Sequence, residues 1–156
     1  MSKVVATPSA APEFDLTLLE SSGAFVKGVG LVLDELNESE VAGHIDLDSE
    51  HHTPWGIIHG GVYATAVESA ASIGASAAVS AQGQVAVGLT NTTHFLRSLT
   101  DGRVGVRAVP LYQGRTHQLW RVDITDESGG LIAHGEVRLQ NIAAKSKDQG
   151  DVMPAK

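Results

Sequence analysis

Trp55-Gly56-Ile57-Ile58-His59-Gly60-Gly61-Val62-Tyr63-Ala64-Thr65-Ala66-Val67-Glu68 is the stretch on which the reading of this chain turns. A glycine-broken loop runs straight into a long helix, expected from Gly61 to about Ala81. Between Glu50 and Arg97 the only formally charged residue is Glu68. A helix that faces water carries a charged stripe, and this one has none. On a helical wheel Val62, Ala66, Ile73 and Ala77 fall on one side. Thr65, Glu68, Ser69, Ser72 and Ser76 form a polar stripe beside them, and the remainder is rich in Ala. Such a helix is expected to be buried on most sides, wrapped by its own sheet, with room for a second subunit.

A lone Glu in that setting is costly. Burying an ionised carboxylate without partners costs several kcal/mol or raises its pKa. Two explanations stand at this point: a structural carboxylate held by Ser72 one turn on or by a nearby strand, or a working group, since isolated buried acids cluster at functional sites. Gly60 and Gly61 add a second feature. Where a loop enters a helix the first N–H groups are unpaired and sit at the positive end of the dipole, a ready oxyanion site. Glycine lets a ligand come close there; the plainer alternative is a tight turn. Seven residues of helix span roughly 10 Å, so one helix cannot place both its N-terminal N–H groups and Glu68 around one carbonyl carbon. If both act together, they come from two copies of the chain.

Outward from the helix, the pattern is one of hairpins. A short helix is expected over Phe14–Leu19, then strands near Ala24–Leu33 and Val41–Leu47, with Asn37-Glu38-Ser39 as the turn. After the helix come Val85–Leu96, Val104–Tyr112, His117–Thr125 and Leu131–Ile142, separated by turn-forming stretches such as Thr100-Asp101-Gly102 and Gln113-Gly114. In the third of these, Gln118, Trp120, Val122 and Ile124 share one face while His117, Arg121 and Asp123 share the other. The fold class is α+β, an antiparallel sheet packed on one long helix. One domain spans 14–143, and tails at 1–13 and 144–156 are expected to be disordered.

The 156 residues carry a formal charge of −7 and no cysteine. No basic run exists to neutralise nucleic-acid phosphates. No stretch is apolar enough to span a membrane, and the first residues lack a secretory apolar core. A cytoplasmic location follows by default. No zinc-ligand spacing and no HExxH occur, so no metal and no cofactor are expected. The absence of GxSxG argues against serine-hydrolase chemistry. Trp55 and Trp120 are read as packing residues, and His94, His117 and His134 as strand-surface or hydrogen-bonded histidines.

The quoted stretch closely resembles the hotdog-fold thioesterases of the phenylacetate-degradation (PaaI) type, including the Arthrobacter-type 4-hydroxybenzoyl-CoA thioesterase. The likeness continues through Val87-Gly88-Leu89-Thr90-Asn91 and Phe95-Leu96-Arg97 to the last strand, covering about residues 24–142. The resemblance implies a long helix wrapped by a six-stranded antiparallel sheet, a homodimer as the minimal unit, usually paired into a homotetramer, and an acyl-CoA substrate. It assigns Glu68 as nucleophile or general base and the Gly60 N–H as the donor that polarises the thioester carbonyl, with His59 supporting the loop. Thr53 falls where relatives often carry Gln or Asn, and Ser72 where some carry Thr. Gly61 and Gly88 belong to the matched substrate-binding positions, and Arg97 and Gly114-Arg115-Thr116 match those near the nucleotide of CoA. Thr53 departs from the pattern because it has no amide donor, and Pro54 stiffens the same loop. A hotdog hydratase or dehydratase is a competing reading, though the His-Phe-Pro-Gly type of loop is absent. A non-catalytic acyl-CoA-binding module is another.

Overall fold

A computed structural model describes residues 14–37 and 39–145. The tail expected at 1–13, and that at 144–156 from residue 146 onward, lie outside the described residues, as does Glu38 of the expected turn. The strands are β1 (Val32–Asn37), β2 (Glu40–Leu47), β3 (Gln84–Phe95), β4 (Gly102–Gln113), β5 (His117–Asp126) and β6 (Leu131–Ala143). They form one sheet in the order β1-β2-β4-β5-β6-β3, and every neighbouring pair is antiparallel. β1 and β3 are therefore its edges. Helix α1 covers Ala24–Val29 and helix α2 covers Gly60–Val79.

The sheet buries one face because its strands alternate. Gln118, Trp120, Val122 and Ile124 of β5 point to the core, as do Ala133, Gly135, Val137, Leu139 and Asn141 of β6. His134, Glu136 and Arg138 point the other way and are half-buried or exposed. On that outer face Arg107 pairs with Glu40, Arg103 with Asp46, and His134 with Asp123.

α2 lies across the inner face. No residue from Val62 to Val79 is exposed, which is why the helix tolerates so few charges. It comes close to the sheet at Gly74, where a β-carbon would stand 2.6 Å from the Trp120 ring and 2.8 Å from Val41. Trp120 is fully buried there and donates its indole N–H to Gln118 Oε1. The buried side is Tyr63, Ala66, Val67, Ala70, Ala71, Gly74 and Ala75, while Val62 and Ile73 are only half-buried. The helix turns its smallest residues, not its largest aliphatics, to the sheet, because the sheet supplies the bulk.

Two expectations are corrected. The strand expected over Ala24–Leu33 is helix α1 followed by β1. Gly30, with φ of 75°, ends α1 in the left-handed conformation and turns the chain into β1. Trp55 does not pack: it is 84% exposed.

Candidate active site

His51, His52 and the loop after them set the entrance to α2. The Ile58 N–H donates to Leu99 O and the His59 N–H to His51 O, both at 2.8 Å. His52 Nε2 lies 2.6 Å from Thr100 O. Between these anchors Thr53 closes a tight turn: its N–H reaches Ile57 O at 2.7 Å, and Gly56 takes φ of 77°. The Thr53 hydroxyl accepts the Trp55 N–H at 3.3 Å. The loop is thus tied down at several points, and the Thr53 N–H and hydroxyl both bond within it.

His59 is the N-cap of α2, and its Nδ1 accepts the Gly61 N–H at 2.8 Å. The cap uses one of the orphan N–H groups at this helix end. Of the two glycines, it is Gly60 whose N–H has no acceptor among the described residues. The Phe95 ring lies against Gly60, with Cε2 and Cζ 2.8 Å from where a β-carbon would stand. The end of β3 therefore closes over the start of the helix.

Eight residues further along α2, the Glu68 carboxylate lies against β3. Its Oε2 accepts a hydrogen bond from Asn91 Nδ2 at 3.0 Å. Asn91 Nδ2 also donates to Ala64 O at 3.1 Å, and Thr93 Oγ1 donates to Asn91 Oδ1 at 2.6 Å. Oε1 sits directly over Gly88, in the space a β-carbon would take. No hydrogen bond joins Ser72 to Glu68, so the partner at hand is on the strand, not one turn along the helix. Ser76, two turns on, binds both the N–H and the C=O of Ala86, at 3.0 and 3.4 Å.

Asn91 is the residue that strand alternation hides. Ala86 and Gly88 face the helix, and simple alternation puts Thr90 and Thr92 on the same face. A β-bulge between Gly88 and Thr90 shifts the pairing with β6. After it, Asn91, Thr93 and Phe95 stand opposite Val137, Gly135 and Ala133, which are all buried. The bulge re-aims three side chains toward α2. A glycine inside a strand pattern was the available signal for it.

The positions matched to the nucleotide of CoA separate into two places within one chain. Arg97, just beyond β3, pairs with Asp126 at the far end of β5. Gly114-Arg115-Thr116 forms the hairpin between β4 and β5, at the opposite end of the sheet. Asn141 holds that hairpin: its side-chain amide donates to Gly114 O and Arg115 O at 3.0 and 3.2 Å, and its N–H to Thr116 O at 2.9 Å. Asn141 Oδ1 in turn accepts from Gln118, which also donates to Ala75 O of α2. Arg115 is exposed and makes no ion pair among the described residues. Gln118 and Asn141 are buried polar residues that support a surface loop. The Asp126 carboxyl is held down at about 2, mainly by the Ser128 hydroxyl, then by the Gly130 N–H and Arg97.

The sequence profile of the thioesterase superfamily covers residues 56–133. The chain belongs to that superfamily, and its fold is the hotdog. A Mycobacterium tuberculosis protein named "Putative esterase Rv1847" is 39% identical over 123 residues, 78% of this chain and 88% of that one. Its structure superposes with a TM-score of 0.75, covering 80% of this chain and all of that one. The thioesterase HI1161 of Haemophilus influenzae is 27% identical, with a TM-score of 0.77 over 89% of this chain and 98% of that one. A Gln-to-Ala variant of thioesterase PA1618 from Pseudomonas aeruginosa is 25% identical, with a TM-score of 0.74 over 82% and 94%. No helix among the described residues is long and apolar enough to cross a membrane.

Proposed function

We propose that this chain is an acyl-CoA thioesterase of the PaaI type whose active site is composed by two subunits. The observation that carries the reading is the Glu68 carboxylate, the only charge on α2, standing beside an open sheet edge. In one chain Glu68 is eight helical residues from the Gly60 N–H, about 12 Å. A thioester carbonyl cannot touch both. β3 is an edge strand, exposed from Val87 to Thr92, with Val87 and Leu89 among its exposed apolar residues. Soluble proteins cover or pair such edges, and a two-fold pairing of β3 with β3 is self-complementary. It would bring the acid of one copy toward the helix entrance of the other.

In that site the Gly60 N–H of the partner subunit donates to the carbonyl oxygen, where negative charge develops. The Glu68 carboxylate either bonds to the carbonyl carbon, expelling CoA thiolate and leaving an anhydride that water opens, or takes a proton from the water that adds. The exposed Arg115 side chain suits a phosphate of CoA.

The test is a steady-state screen of acyl-CoA thioesters with free-thiol detection, run on wild type and Glu68→Ala together. Glu68→Ala is expected to lose more than the ~10²–10³-fold typical of one lost oxyanion donor, with fold and oligomer retained. Turnover by Glu68→Ala at the wild-type rate rules the assignment out. Thr53 favours one other outcome. Its hydroxyl is used within its own turn, and binding of CoA without turnover across the whole panel points to a non-catalytic acyl-CoA-binding module.

A further inference from the structure

We propose that Asn91 is a positioning residue that fixes which oxygen of Glu68 reacts; the inference rests on the thioesterase reading above. The Asn91 carboxamide is held at three points. Thr93 Oγ1 donates to its Oδ1 at 2.6 Å. Its two amide hydrogens are divided between Ala64 O at 3.1 Å and Glu68 Oε2 at 3.0 Å. Both of those groups are acceptors only, so the amide cannot be turned over without setting Oδ1 against two oxygens. The orientation is dictated by chemistry, and it leaves Asn91 no freedom to follow a moving carboxylate.

The consequence falls on Glu68. Oε2 is committed to an N–H donor, which lowers its readiness to bond elsewhere. Oε1 has no such donor among the described residues and lies over Gly88 at the free edge of β3. Oε1 is therefore the oxygen that meets water or the thioester carbon. Carboxylates on unbraced side chains sample several rotamers, and fixing one of them supplies part of the orientation that catalysis requires. The brace crosses from strand to helix, so it also holds α2 against β3 through Ala64 O. A merely structural tether and a positioning residue thus share the same atoms, and kinetics separates them.

The experiment measures kcat and KM for thioester hydrolysis in Asn91→Ala, Asn91→Asp, Thr93→Val and Thr93→Ser, beside Glu68→Ala, with thermal unfolding and oligomeric state recorded for each. Asn91→Ala is expected to lower kcat by about 10–100-fold with KM within about twofold, the range for a slightly misplaced reacting group. Asn91→Asp, the same size but with no hydrogen to give, is expected to lose at least as much. Thr93→Val is expected to lose part of the rate, and Thr93→Ser, which keeps the hydroxyl, to regain it. If the Asn91 variants fail to fold, the Thr93 pair decides the matter, because both are isosteric or smaller and leave Asn91 in place. Wild-type kcat in Asn91→Ala, or equal rates in Thr93→Val and Thr93→Ser, overturns the inference while Glu68→Ala remains inactive. A rise in KM at constant kcat overturns it too. Full activity in Glu68→Ala defeats the parent reading instead.

Discussion

The Oε1 atom of Glu68 occupies the space that a β-carbon on residue 88 would need. Gly88 is thus the bed on which the carboxylate rests. Its φ is not in the left-handed region, so the demand for glycine here is one of space alone. Gly88→Ala is expected to displace Glu68 and cut kcat about 100-fold, the cost of misplacing a reacting group by about 1 Å. Since Ala suits a strand no worse than Gly, stability should change little. Steady-state kinetics with a melting curve checks both; an active Gly88→Ala means that the carboxylate has another place to sit.

Gly74 gives the opposite balance. Its neighbours Trp120 and Val41 are both buried and have no solvent to swing into. Overpacking a core costs about 1–3 kcal/mol, against roughly 1 kcal/mol that Ala gains over Gly in a helix. Gly74→Ala should therefore be destabilised by up to about 2 kcal/mol, seen as a lower urea midpoint at unchanged slope. A more stable Gly74→Ala would show that the helix can lift from the sheet.

Tyr63 carries a hydroxyl that is buried and has no hydrogen-bond partner among the described residues, and burial pushes its pKa up. An unpaired buried hydroxyl costs about 1–3 kcal/mol. Tyr63→Phe keeps the ring beside Phe95, 6.4 Å between centroids, and removes only that hydroxyl. It is expected to be as stable as wild type or more so, by up to about 1 kcal/mol. A clear loss in the denaturant midpoint would reveal a bound water or a ligand at that oxygen.

Asp126 links folding to acid. Its carboxyl, normally 3.8, is lowered to about 2 in the folded chain, so the stability it adds is present above pH 4 and lost as pH falls through 2. The Ser128 hydroxyl, the Gly130 N–H and Arg97 are the cause. Asp126→Asn should melt below wild type at pH 5, and the gap should narrow by pH 2.5. A gap that is independent of pH would mean that the turn, not the charge, is what the side chain supports.

Much of the fold is legible in the sequence alone, for local reasons. A helix with one charge in twenty residues has to be buried, and strands that alternate every second residue have to present one face to a core. Those patterns gave β5, β6 and α2 nearly to their ends. α1 was missed because Ala24–Val29 buries only Val29, which leaves no periodicity to read; a glycine that ends the helix at Gly30 was the one mark. Trp55 was misread because size and apolarity suggest packing, and nothing local tells that its loop projects outward.

The sequence by itself determined that Glu68 is the lone acid of a buried helix with a glycine entrance upstream, since these follow from composition and spacing alone; the carboxylate itself is half-buried rather than buried. What surrounds Glu68 was decided only by tertiary structure. One extra residue in β3, set against β6, reverses the parity of everything after Gly88 and brings Asn91 to the carboxylate. Register across a sheet depends on which residues of a distant strand it meets, and no pattern within β3 records that.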